Sequence, residues 1–248
     1  MSYESFAKYY DSLQTDVDYL LRTEYLLNLF KKYDRQPSLL LDVACGTGGF
    51  SLCFLKKGID VIGVDPSCEM LSIARDKLYS NGYNPLLLCQ SAKELDLYGT
   101  VDGAICCLDS LNHITDADEF MYSIARISLF LEKDRLFIFD LNTEYKHKKV
   151  LSGATFTAEN ENVFCVWRNS VCDKDGIIDI NLDFFGKTDG ENYCRSCEDF
   201  SERAYSEEFI DTCLENAGLE KVAVFGDMTF DSPKLDEQRI IYVTRKVK

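Results

Sequence analysis

A chain that places Leu39-Leu40-Leu41-Asp42-Val43-Ala44-Cys45 directly ahead of Gly46-Thr47-Gly48-Gly49-Phe50 has few choices of local structure. The apolar run from Ser38 to Val43 is the pattern of a strand covered on both faces, as in a parallel sheet. Gly46 and Gly48 let the backbone turn sharply and pass close to a ligand, with no Cβ to hold it off. The helix expected from about Phe50 to Lys57 then points its N-terminus, and the free N–H groups there, at that ligand.

The surroundings of the glycines narrow the ligand. Nineteen residues after Gly46 a second apolar stretch, Asp60-Val61-Ile62-Gly63-Val64, delivers Asp65, close to the spacing of about 20 at which a carboxylate reaches a ribose diol. A nucleoside is implied. A dinucleotide would need G-x-G-x-x-G, and counting from Gly46 the third position falls on Ser51. Asp42, at the mouth of the turn, would repel a pyrophosphate but suits a ligand carrying an ammonium and a sulfonium. S-adenosylmethionine fits that description.

Asp42-Val43-Ala44-Cys45-Gly46-Thr47-Gly48 resembles the first motif of the class I S-adenosylmethionine-dependent methyltransferases, and Gly63-Val64-Asp65-Pro66-Ser67-Cys68-Glu69-Met70-Leu71 resembles the second. Cys89-Gln90-Ser91-Ala92, then Val101 to Ser110, stand where that family keeps its third and fourth motifs, and Phe137-Ile138-Phe139-Asp140-Leu141-Asn142 is similar to its fifth strand. Ala44 replaces the usual first glycine, and Ser91 stands where an aspartate often reads the adenine amino group. The resemblance, over residues 39–142, implies a Rossmann-like, doubly wound seven-stranded sheet and cofactor contacts from Asp42, Ala44, Gly46, Thr47, Gly48, Asp65, Pro66, Met70, Ser91, Ala92, Leu108 and Asp109.

Apolar runs alternating with amphipathic segments argue independently for an α/β chain: strands at 38–44, 60–65, 85–90, 101–108 and 134–141, helices at 48–57, 67–81 and 116–131. Ahead of them Tyr3 to Tyr33 reads as one or two helices, forming a cap over 1–37 before a core at 38–143. After Asn142 the apolar period falls to two. Val163, Cys165, Trp167 and Asn169 alternate with Phe164, Val166 and Arg168, and Asp173-Lys174-Asp175-Gly176 and Thr188-Asp189-Gly190-Glu191 supply turns. Residues 150–204 are therefore expected to be an antiparallel β insertion after the fifth strand, on the substrate side. Residues 205–248 return to the core with a helix, opened by Ser206 and closed by Gly218, and two closing strands.

Composition sets the class. Forty-two Asp and Glu against 27 Lys and Arg give a net charge of −15, so phosphate backbones are repelled on average, and the one basic cluster is Lys146-His147-Lys148-Lys149. Nucleic acid is not the expected partner. The start of the chain lacks the basic and apolar regions of a secretory signal, and no apolar run approaches the roughly 18 residues that span a bilayer. A cytoplasmic location is expected. The 11 cysteines are odd in number and many, such as Cys53, Cys89, Cys106 and Cys107, sit in apolar segments, where reduced thiols act as small hydrophobes. Cys194-x-x-Cys197 has metal-like spacing but lacks a second such pair, and no metal is expected.

His113, five residues past the fourth strand, is the candidate general base, set against the plainer reading of a packed or capping histidine. Tyr10 and Tyr19 on the N-terminal helices could close over the sulfonium, or could be ordinary core aromatics. Trp167, Arg168, Arg203 and Tyr205 belong to the insertion and its return, and are the expected substrate-side residues. The expected activity is direct methyl transfer from S-adenosylmethionine to an O, N or C atom of a small molecule. A protein or tRNA acceptor, and a non-catalytic cofactor-binding protein of the same fold, are the alternatives.

Overall fold

The computed structural model describes residues 4–14, 16–190 and 192–248. Tyr3 and Glu191, named above, lie outside them. Strands β1 (Leu39–Val43), β2 (Asp60–Asp65), β3 (Leu86–Cys89), β4 (Gly103–Cys106) and β5 (Leu136–Asn142) run parallel. With β10 (Leu219–Gly226) and β11 (Arg239–Lys246) they make a seven-stranded sheet in the order β10-β11-β5-β4-β1-β2-β3, with β11 antiparallel to both its neighbours. This is a Rossmann-like sheet. Its order reverses between β1 and β4, and the crevice outside the carboxyl ends of strands at such a point is where open sheets bind ligands.

Two-residue periodicity divides each central strand between the faces. Leu41, Val43, Phe137, Phe139 and Leu141 enter one core with Phe120, Ile124 and Ile127 of α5 (Ala117–Phe130) and Ile210 and Leu214 of α6 (Glu207–Asn216). Leu40, Leu136, Ile138, Ile241 and Val243 enter the other with Leu29 and Phe30 of α2 (Tyr19–Tyr33) and Phe54 of α3 (Gly49–Lys56). Phe30, Phe54, Phe120 and Phe137 are fully buried, and burial of a side chain of that size contributes about 1.5–3 kcal/mol. Three helices start where the sequence caps them: Asp18, Ser67 and Asp116 accept from backbone N–H groups three residues on, opening α2, α4 (Cys68–Ser80) and α5.

The N-terminal region forms α1 (Glu4–Leu13) and α2. The insertion is a four-stranded antiparallel sheet of β6 (Thr155–Glu159), β7 (Val163–Asn169), β8 (Ile177–Lys187) and β9 (Tyr193–Arg203) with its own core of Val163, Cys165, Ile178, Ile180, Leu182 and Phe184. Its first turn is set by the Asp173 carboxylate, which accepts from the Asp175 and Ile177 N–H groups. Two expectations change. The basic cluster at 146–149 is a π-helical turn (Lys146–Leu151) in which His147 is fully buried and Lys146 half-buried, so Lys148 and Lys149 alone face solvent. Cys89, expected as an embedded hydrophobe, ends the edge strand β3, is exposed, and is joined to Cys68 by a disulfide across Cα atoms 5.7 Å apart.

Candidate active site

Three residues of the turn after β1, Ala44, Gly46 and Gly48, take positive φ of 56°, 54° and 77°. At Gly48 a Cβ would also meet the Ala74 Cβ at 3.2 Å, so the turn packs tightly on α4. At Gly46 the space where a Cβ would project is open. Ala44 pays on the order of 1 kcal/mol to hold a conformation that glycine takes freely. The Asp65 carboxylate fastens this turn: Oδ2 accepts the Gly46 N–H at 2.8 Å and Oδ1 the Ser67 N–H at 2.8 Å. Ser67, not Asp65, caps α4. Each Asp65 oxygen keeps a lone pair, and burial, opposed by those two donors, raises its pKa.

Asp42 lies one layer behind the turn. It is 2% exposed, accepts the Ser51 hydroxyl of α3 at 2.5 Å, and is pushed up to about 7 by burial, with the Ser51 bond opposing. Thr47 is likewise buried, and its hydroxyl donates to Asp11 of α1 at 2.6 Å and accepts from Lys77 of α4 at 3.1 Å. That clamp sets α1 against the turn. Tyr10 of α1 lines the cavity in front of the turn and is hydrogen-bonded to Tyr19, whose ring packs edge-on against Phe50 and directly over Gly49. Burial raises both phenols, Tyr19 to about 12, so both stay neutral donors.

The cavity measures about 510 Å³. Ala44, Gly46 and Asp65 lie along its floor, Pro66, Met70, Ser91 and Ala92 at one end, and Leu108, His113 and Tyr10 at the other. The Ser91 hydroxyl donates to Glu94 at 2.6 Å in a capping box, so it is already engaged. His113 turns Nε2 toward the buried Glu202 carboxylate of β9 at 3.8 Å and packs its ring tilted against Phe200, and its buried Nδ1 has no hydrogen-bond partner among the described residues.

Beyond Leu108, which lines both, lies a second cavity of about 650 Å³; Asp109, expected among the cofactor contacts, lines this second cavity and not the first. Leu108 and Asp109 have φ of 58° and 53°, an arrangement that a chain without glycine holds only under restraint. Restraint comes from Asp140 of β5, which accepts the Leu108 and Asp109 N–H groups at 2.8 and 2.6 Å, and from Arg239 of β11, which bridges Asp140 and Asp109. Asn142 donates to Asp109 at 2.5 Å and to Glu202 at 3.2 Å and accepts from Lys146 at 2.9 Å. Burial works against the Asp109 charge, yet Arg239, Lys146 and His113 outweigh it and hold this carboxyl well below its usual range.

Trp167 reaches the second cavity; Arg168, Arg203 and Tyr205 do not reach either one. Arg168 is drawn to Asp183 and Asn181 on the sheet of the insertion. Arg203 donates to the Thr115 carbonyl at 3.0 Å and Tyr205 to that of Ile114, with the Tyr205 ring packed between Phe120 and Phe209. They fasten the insertion to the core. Residues that the sequence did not single out, Arg22, Asp140, Asn142, Lys146, Glu202, Asp227 and Arg239, build the second cavity and its floor. Cys194 and Cys197 lie exposed on β9, and among the described residues no group of three His, Cys, Asp or Glu side chains is arranged to hold a metal ion. Among them, too, no helix is long and apolar enough to cross a membrane.

Residues 40–128 match the family model of a methyltransferase domain. An inferred methyltransferase of Geobacillus sp. (strain WCH70) is 30% identical over 99% of this chain and 100% of its own length. The crystal structure of an S-adenosylmethionine-dependent methyltransferase from Clostridium acetobutylicum ATCC 824 superimposes with a TM-score of 0.90 at 33% identity, covering 99% of each chain. An amino pentose methyltransferase of Micromonospora echinaspora, solved with S-adenosylmethionine bound, shares the fold at a TM-score of 0.73 and 18% identity over 92% of each chain. Together with the glycine turn, the ribose-spaced Asp65 and the sheet reversal, these likenesses identify the chain as a member of the class I S-adenosylmethionine-dependent methyltransferases, with S-adenosylmethionine as its cofactor.

Proposed function

We propose that the first cavity holds S-adenosylmethionine and the second its small-molecule acceptor, with the methyl group passing beside Leu108 and Asp109. The observation that carries this reading is the shared wall: the two cavities meet at the carboxyl end of β4, and the second has the size of a small-molecule site. The residues fit the cofactor. Asp65 has a lone pair on each oxygen for the ribose hydroxyls, Gly46 leaves open space above the turn, and Pro66, Met70 and Ala92 offer an apolar slot for adenine beside Ser91. Asp42 supplies negative charge beneath the end where an ammonium and sulfonium would lie. Tyr10, its O–H given to Tyr19 behind it, covers that end as a neutral ring.

The bound cofactor supplies an electrophilic methyl on a sulfonium. The protein's share of the chemistry is placement: Leu108 and Asp109, fixed by Asp140 and Arg239, hold the boundary across which nucleophile and methyl align, and α1 and β7 keep water out. His113, which lines the first cavity together with Leu108 and has Glu202 behind its Nε2, is the candidate to take the acceptor's proton across that shared wall. Incubation with methyl-labelled S-adenosylmethionine and a small-molecule extract, compared with protein and tRNA fractions, tests the reading. Label is expected in the small-molecule fraction and lost in Leu108→Trp, which closes the shared wall. Label in protein or tRNA alone would refute it.

A further inference from the structure

We propose that the second cavity selects an amine as the methyl acceptor, held through Asp227, Asp109 and the face of Trp167. This rests on the reading above, that the second cavity is the acceptor site, and it adds the acceptor's chemistry.

The inventory of hydrogen-bonding groups decides the class. The cations of the wall are already committed. Arg22 gives both terminal nitrogens to the two oxygens of Asp227, at 2.9 Å each. Arg239 gives one to Asp140 at 2.8 Å and the other to Asp109 at 2.9 Å. Lys146 is turned to Asn142, and burial lowers its pKa, with Asp109, Glu202 and Asp140 opposing that loss of charge. Lys234, on the loop between β10 and β11, is exposed at the rim, as are Asp16 and Asp236. An incoming carboxylate or phosphate would find its forks occupied and carboxylates facing it.

Acceptor capacity, in contrast, is in surplus. Among the described residues each oxygen of Asp227 receives one bond from Arg22, and each of Asp109 one bond, from Arg239 or Asn142, which leaves a second lone pair on each. The Trp167 indole N–H is spent on Asn169 at 2.5 Å. With its N–H engaged, Trp167 lines the cavity as apolar ring, and an indole ring beside carboxylates is an environment that favours a protonated amine. An amine is also a competent nucleophile here. The bound ammonium first gives one proton to His113, its freed lone pair forms the N–C bond as the S–C bond breaks, the bonding pair stays on sulfur to give S-adenosylhomocysteine, and the product leaves as the methylated ammonium.

Benzylamine and benzoate carry the same ring with opposite charge, and titration of each into the S-adenosylhomocysteine-saturated enzyme tests the proposal. Benzylamine is expected to bind at least tenfold more tightly than benzoate, and Asp227→Asn and Trp167→Leu are each expected to weaken it fivefold or more while leaving cofactor affinity unchanged. Benzoate binding as tightly as benzylamine, no binding of benzylamine up to about 10 mM, or benzylamine binding indifferent to both substitutions would overturn the amine assignment alone. Loss of cofactor affinity in both variants would show that the second cavity belongs to the cofactor, and would overturn the placement of the acceptor together with its class.

Discussion

Asp42 is the residue at which the site's electrostatics can be read by titration. Its pKa, raised from 3.8 to about 7 chiefly by burial, makes the carboxylate costly in the empty protein: about three pH units, or on the order of 4 kcal/mol. A ligand cation about 6 Å away at an effective dielectric of 20 repays roughly 3 kcal/mol of that, which draws the pKa down by about two units on binding. S-adenosylhomocysteine affinity should therefore rise about tenfold to twentyfold from pH 5.5 to pH 7.5, and Asp42→Asn should make it flat over that window. The sign for stability is opposite. A carboxyl whose folded pKa is raised contributes fully below its unfolded value and loses that contribution as pH climbs toward 7, so the empty wild type should melt lower at pH 7.5 than at pH 5.5 relative to Asp42→Asn. The asparagine can still accept from Ser51. Titration calorimetry and thermal melts at the two pH values measure both effects. Equal pH dependence in the two proteins would refute the argument.

Asp65→Ala should cost about 1.5–3 kcal/mol of cofactor binding, a tenfold to hundredfold loss by calorimetry, since it removes charged acceptors that serve both the ribose and the Gly46 turn. Thr47→Val breaks the hydroxyl link between Asp11 and Lys77, and should speed hydrogen exchange in α1 and weaken S-adenosylhomocysteine a few-fold. Arg239→Met leaves Asp109 and Asp140 without their cation and should destabilise the fold by about 3–5 kcal/mol, or roughly 10 °C in Tm. Trp167→Leu should lower acceptor turnover at unchanged cofactor affinity, whereas Arg168→Ala, on the far side of the strand, should alter neither.

The half of the site proposed for the cofactor is the more legible because its signal is local. A strand, a glycine turn, a helix and a carboxylate at ribose distance are all encoded within residues 39–70, and the alternation of Leu40 with Leu41 or Phe137 with Ile138 tells a sheet with two covered faces from one with a single covered face. The acceptor half has no such signal. Arg22, Asp109, Asp140, Lys146, Asp227 and Arg239 come from a helix, the ends of two parallel strands, a π-helical turn, a hairpin loop and an antiparallel strand. Only the sheet order, which puts β11 beside β5, brings them together. A hint existed: Asp140 interrupts Phe137-Ile138-Phe139, and a carboxylate inside a fully buried strand must have a partner. The partner's identity was not written nearby. Arg168, Arg203 and Tyr205 went astray for the complementary reason, since arginine on an alternating strand reads the same whether it meets a ligand, a carboxylate across the sheet, or a carbonyl of the core. β6 could not be read at all, because every residue from Thr155 to Glu159 is exposed and an edge strand needs no apolar alternation.

Those distant residues do one job at Leu108 and Asp109. Two adjacent side-chain-bearing residues in left-handed conformation cost of order 1–3 kcal/mol each, and no glycine relieves them. The Asp140 carboxylate, taking both of their N–H groups, converts that strained pair into a fixed rim, and Arg239 makes the Asp140 charge tolerable by lying between it and Asp109. Strain and ion pair thus maintain each other: without the bend the N–H groups would not converge, and without Arg239 two buried carboxylates would repel. Because Arg239 stands on β11 and Asp227 on the loop just before it, the C-terminal hairpin joins the insertion in shaping the second cavity, proposed above for the acceptor. Differences in acceptor among chains with this fold would accordingly be sought in the 227–239 loop as much as in residues 150–204, while the turn at 44–48 keeps the cofactor constant.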